Sequence, residues 1–119
     1  MIILGSITSL TGTSLIAYAE ARAAFARRFR DNAFSSKDFN RLRARFESDW
    51  KNFLSIQVTR EIVQMAGDLA EKHGLRGFDA IHLASAVTLR EKLASPVTFS
   101  CYDIRLQNAS QLEKLVQPL

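Results

Sequence analysis

The stretch Gly77-Phe78-Asp79-Ala80-Ile81-His82-Leu83-Ala84-Ser85-Ala86 decides how this chain folds. Apart from one carboxylate in its first turn it is apolar or small on almost every side, which is the composition of a buried helix rather than an amphipathic one. Ala80, Ala84, Ser85 and Ala86 let a sheet approach closely. Asp79 has a structural reason to be there, because a negative charge in the first turn favours the helix dipole. Capping alone, however, is served by Ser, Thr or Asn without the desolvation cost of a charge beside a core.

Around that helix the 119 residues suffice for one domain with a real core and are too few for two. Lys and Arg outnumber Asp and Glu by 16 to 12, a net charge of +4 that suits a polyanionic partner without requiring one. Cys101 is the only cysteine, which excludes an internal disulfide and a cysteine-rich metal site and suggests a reducing, cytoplasmic setting. The apolar run Met1 to Leu4 is too short for a signal-peptide core or a membrane span, so a soluble protein is expected, with no membrane partner.

Outward from the central helix, Met1 to Leu4 reads as a short buried strand ended by Gly5-Ser6, and Ser9 to Leu15 as a second extended piece. Ala-rich sequence then predicts a helix from Ala17, with Arg27, Arg28 and Arg30 in its last turn. Glu20 has Ile16, Ala17, Ala23 and Ala24 at helical spacing, which turns it toward the core. Residues 31 to 35 form a loop, and Ser36 caps a helix to about Phe53 whose stripe is Phe39, Leu42, Phe46, Trp50 and Phe53. Its other face carries Arg41, Arg43, Arg45 and Lys51, read either as solvated surface or as a nucleic-acid face. Leu54 to Val58 follows as a strand, and Thr59 caps a helix to about Lys72 that Gly74 stops. After the central helix, Phe78 to about Leu93, come a strand over Val97 to Tyr102, Asp103 at its end, a helix from Ile104 to Leu112, and an edge strand from Lys114 to Leu119.

Alternating strands and helices predict an α/β fold, a three-layer α/β/α sandwich about a mainly parallel sheet, in which ligands bind beyond the carboxyl ends of the strands. Glu20, Asp79 and Asp103 can all approach that end. Grouped carboxylates repel one another unless a cation neutralises them, and hard oxygen donors suit Mg²⁺ or Mn²⁺. Such an ion would polarise a phosphodiester and supply a hydroxide. Taken singly, Glu20 is an ordinary surface or half-buried helix residue, and Asp79 and Asp103 are helix caps. His82 is open to a ligand reading and to a packed one, and Cys101 reads as a buried strand residue.

Asp79 to Ala84, Asp-Ala-Ile-His-Leu-Ala, resembles the signature of PIN-domain nucleases, in particular the VapC-type toxins. Thr13-Ser14-Leu15-Ile16-Ala17-Tyr18-Ala19-Glu20 resembles the second acidic motif of that family, and Phe99-Ser100-Cys101-Tyr102-Asp103 the fourth, with Cys101 where a Thr or Ser is usual. Met1 to Leu4 resembles the opening strand, but Gly5 stands in place of its Asp and only a few residues separate it from Thr13-Ser14. The N-terminal segment is thus missing or degenerate, and the resemblance is clearest over 12 to 119. It implies a PIN-like domain, metal-dependent cleavage of RNA, Mg²⁺ or Mn²⁺ as cofactor, and Glu20, Asp79 and Asp103 as catalytic and metal-binding residues. An antitoxin protein and a homodimer are the implied protein partners. The absent first acid implies impaired activity, which Gly5→Asp would restore if the match at Met1 is real. The rival reading is a catalytically inactive interaction module, binding a protein partner or RNA without cleavage.

Overall fold

A computed structural model describes residues 2–3 and 11–118, the side chains from 11 onward. The elements are β1 (Ile2–Ile3), β2 (Thr11–Ser14), α1 (Ala17–Arg30), α2 (Ser36–Trp50), β3 (Leu54–Ile56), α3 (Arg60–His73), α4 (Gly77–Leu93), β4 (Thr98–Phe99) and α5 (Ile104–Leu112). They divide into two compact units, α1 and α2 within Ile16–Phe53 forming one and the remaining elements the other.

In the larger unit the sheet order is β3-β2-β1-β4. β2 and β3 are parallel, and Thr98 makes a parallel bridge with Val116 in place of the expected edge strand. β1 is antiparallel to both β2 and β4, so β2, β3 and β4 share one direction and β1 alone runs against them. The expected parallel sheet is therefore correct in its flanks and wrong at its centre. Only residues 4–10 link β1 to β2, whereas a parallel crossover needs about a dozen residues or more.

The core is built on α4, whose Ala80, Leu83, Ala84, Ser85, Ala86, Val87 and Leu89 are buried. Ile62, Ala66 and Leu69 of α3, Val97 and Phe99 around β4, Leu106 and Ala109 of α5, and Leu115 complete it. The small residues let α4 lie against β2 as well as α3 and α5. Thr59 caps α3 by accepting from the Ile62 N–H at 3.2 Å, and Gly74 ends it with φ +66°, a left-handed value that suits a residue without Cβ. β4 ends at Phe99 rather than Tyr102, and β3 at Ile56 rather than Val58.

Three basic side chains meet Glu113 where α3, α4 and α5 converge. Lys72 Nζ lies 2.7 Å and His73 Nε2 2.8 Å from Glu113 Oε2, and Arg90 donates to the Glu113 carbonyl. The Lys72 hydrogen bond, then that of His73, holds the Glu113 carboxyl below its ordinary range. A lowered folded pKa gives stability that is present above the unfolded value and lost as pH falls through the folded one. Glu113→Gln is expected to lower stability by about 1–2 kcal/mol at neutral pH, with the difference fading in acid. Urea titrations at both pH values check it, and equal neutral stabilities would remove the ion knot from the stability account.

In the smaller unit, α1 and α2 zip together through rings. Centroids of Tyr18 and Trp50 are 5.3 Å apart, of Phe25 and Phe46 5.4 Å, and of Phe29 and Phe39 4.7 Å. Arg22 pairs with Glu47 at 2.8 Å, and the Tyr18 hydroxyl donates to the same carboxylate. The aromatic stripe of α2 is thus spent on α1. The cap of α2 is Ser35, one residue earlier than expected, which accepts from the Asp38 N–H at 3.1 Å. The helix stops at Trp50, and a turn in which Phe53 N–H bonds Trp50 O replaces its last expected residues.

Candidate active site

Two of the three acids meet in one place. Asp79 and Asp103 line a cavity of about 230 Å³, together with Gly74, Leu75 and Arg76 of the α3–α4 turn and Ile104 and Arg105 of α5. Asp79 stands half-buried in the first turn of α4, a helix whose N-cap, Arg76, makes no side-chain capping bond. Asp79 therefore belongs to a first turn whose N–H groups lack intrahelical partners and where the helix dipole favours a negative charge.

Asp103 is the N-cap of α5, and its Oδ1 accepts from the Leu106 N–H at 3.0 Å. Gln107 Nε2 donates to the Cys101 carbonyl at 2.7 Å, so the first turns of α5 hold the chain leading into Asp103. The capping role read for this residue is real, and it engages one oxygen. Arg105 Nη1 donates to the Gly74 carbonyl at 3.1 Å and ties the start of α5 to the end of α3, closing one wall of the cavity.

Glu20 is placed differently from its expected position. It is exposed on α1, in the smaller unit, rather than turned to a core. The seam of α1 is made by Tyr18, Phe25 and Phe29, and a residue two positions from Tyr18 lies about 200° around the helix from it. Among the described residues no three His, Cys, Asp or Glu side chains gather into a metal-holding group. His82 is half-buried on α4. Cys101 lies beyond β4 and is half-buried rather than a buried strand residue, and burial pushes its thiol pKa up, against a thiolate role.

The place read for the first acid, Gly5, follows β1 in the chain. Ile3 pairs with Thr98, the amino end of β4, while Asp103 follows the other end. Gly5 and Ser6 themselves lie outside the described residues. Arg76 and Arg105 were missed in the sequence. The available signal was their spacing, three residues before one acid and two after the other. On the smaller unit Arg27, Arg28, Arg41 and Arg45 are exposed.

The chain is 38% identical over 81 residues to Ribonuclease VapC45 of Mycobacterium tuberculosis (strain CDC 1551 / Oshkosh) and, to the same degree, to Ribonuclease VapC49 of Mycobacterium tuberculosis (strain ATCC 25618 / H37Rv). Each match covers 65% of this chain and 54% of the relative, so the chain spans about half the length of the curated relatives it matches. No protein-family model and no solved structure matches it. No helix among the described residues is long and apolar enough to cross a membrane. The resemblance to VapC-type proteins agrees with these matches, and over 81 residues the chain is similar to two VapC ribonucleases.

Proposed function

We propose that the chain is a metal-dependent endoribonuclease of the VapC toxin type, a single PIN-like domain of three α/β/α layers acting in the cytoplasm. The observation that carries this reading is the meeting of Asp79 and Asp103 in one cavity, in a chain related to two proteins named as ribonucleases. The donor set fits a hard cation. Mg²⁺ is commonly held by one or two carboxylates, with water and substrate phosphate filling its other positions. Asp79 and the oxygen of Asp103 not engaged in capping would hold Mg²⁺ or Mn²⁺, and Glu20 is the third acid proposed from its matching motif. When bound, such an ion polarises the phosphodiester and makes water a better nucleophile at neutral pH.

The remaining work falls to the chain itself. Arg76 and Arg105 place positive charge beside the acids, where phosphate oxygens gather charge during cleavage. Asp79, fixed in the first turn of α4, orients whatever it binds more sharply than a loop residue would. With Gly5 in place of the first acid, activity is expected to be weak, because a smaller carboxylate set positions water less well. The protein partners proposed are an antitoxin and a second copy of the chain.

Incubation of the purified chain with a fluorogenic single-stranded RNA tests this reading. Slow cleavage is expected with Mn²⁺ or Mg²⁺ and none with EDTA. A folded protein that cleaves nothing with either ion would return the chain to the rival reading of a non-catalytic binding module, and cleavage that persists in EDTA would exclude the proposed chemistry.

A further inference from the structure

One edge of the sheet presents backbone groups that nothing in the sheet uses. β3 is the outermost strand beside β2, and among the described residues no strand lies on its other side. The Ile56 carbonyl accepts from the Leu15 N–H at 2.9 Å, so the backbone groups of Leu54 and Ile56 turn to β2 and those of Ser55, between them, turn outward. Proteins blunt such edges by keeping them short, by charging them or by covering them. Leu54-Ser55-Ile56 is short but carries no charge, and Leu54 is 43% exposed.

A cavity of about 640 Å³ opens along that edge, walled by Leu54 and Ile56 of β3, Ile62 and Met65 of α3, and Leu89 of α4. It shares no lining residue with the cavity of Asp79 and Asp103 and is a separate place on the larger unit. Glu61, Glu91 and Lys92 line it as well, all three exposed. Neither carboxylate takes part in an ion pair among the described residues. With two acids against one base, the rim is acidic in a chain whose net charge is +4.

Each of these features selects something in an occupant. Outward backbone donors and acceptors select an extended chain, which pairs with them as an added strand. The apolar wall selects aliphatic side chains at alternate positions, and the unpaired carboxylates select lysine or arginine. A second copy of the chain fits less well. Its own edge, Leu54 to Thr59, holds no basic residue, and it would bring the same two acids to the contact.

We propose that the free edge of β3 and the cavity beside it take an extended peptide of a partner protein, whose aliphatic side chains enter the cavity and whose basic residues meet Glu61 and Glu91. The proposal does not depend on the ribonuclease reading, since the two cavities are separate.

The test is fluorescence anisotropy of the full chain with a labelled synthetic heptapeptide, Lys-Thr-Leu-Thr-Val-Thr-Lys, which as a strand puts leucine, valine and both lysines on one face. Saturable binding is expected. Two further peptides, one N-methylated at the threonines and one at the leucine and valine, should behave oppositely: an added strand turns one set of amides to β3 and the other to solvent, so one peptide loses about tenfold and the other little. Leu54→Lys should weaken binding by about tenfold or more, and Glu61→Gln with Glu91→Gln by about threefold or more. Unchanged melting temperatures show that these exposed substitutions leave the fold intact. No binding, equal effects of the two N-methylated peptides, or a Leu54→Lys protein that binds like the wild type overturns the inference. A wild type that sediments as a dimer and becomes monomeric on Leu54→Lys overturns it too, by giving the edge to a second copy. RNA cleavage measured with and without the peptide reports on the ribonuclease reading separately.

Discussion

Asp79→Asn is expected to reduce divalent-ion-dependent RNA cleavage by about a hundredfold or more, because it removes a charged ligand from a site where each 1.36 kcal/mol of lost transition-state stabilisation is a factor of ten. The substitution keeps the shape of the side chain and its place in the first turn of α4. Asn is also an acceptable residue near a helix start, so the fold should survive. Asp103→Asn should act in the same direction. Its Oδ1 can still accept from the Leu106 N–H, so the capping bond is retained while the charge is lost. Initial rates at saturating Mn²⁺ measure both effects. Activity that survives either substitution unchanged would assign cleavage elsewhere in the molecule.

The second large effect concerns stability. Leu83 is fully buried in the cluster that joins α3, α4, β4 and α5, and Leu83→Ala is expected to cost about 3–5 kcal/mol, from lost transfer energy and from the cavity left behind. That is a large share of the roughly 5–15 kcal/mol available to an ordinary protein. Val63→Ala, at a position 48% exposed on α3, is the control and should change stability by no more than about 0.5 kcal/mol. Denaturant midpoints for the two variants give the comparison. Similar midpoints would mean that α4 is not the centre of the core.

The central helix was legible because its small and apolar residues run all round it, which leaves burial as the only stable setting. α3 was legible for a different reason, Thr59 and Gly74 being start and stop signals of local origin. Positions set by tertiary neighbours were not. Glu20 was turned the wrong way because alanines surround α1 on several sides, and the face is chosen by Tyr18, Phe25 and Phe29 through partners on α2. The length of β4 depends on what pairs with it, and it meets two residues of β1 and a single bridge at Val116. The direction of β1 was implicit in the short link of residues 4–10, yet the alternation of strands with helices suggested a mainly parallel sheet.

At the site, both aspartates were legible from their placement at a helix start and a strand end. Their cationic neighbours were not, since no periodicity distinguishes Arg76 and Arg105 from ordinary surface.

The most direct test of the central claim is a calorimetric titration of Mn²⁺ into the wild-type chain, Asp79→Asn and Asp103→Asn. A shared carboxylate site predicts saturable binding to the wild type and an affinity at least about tenfold lower in each variant, equivalent to about 1.4 kcal/mol. Three superimposable isotherms, or a wild type that takes up no Mn²⁺, would contradict it.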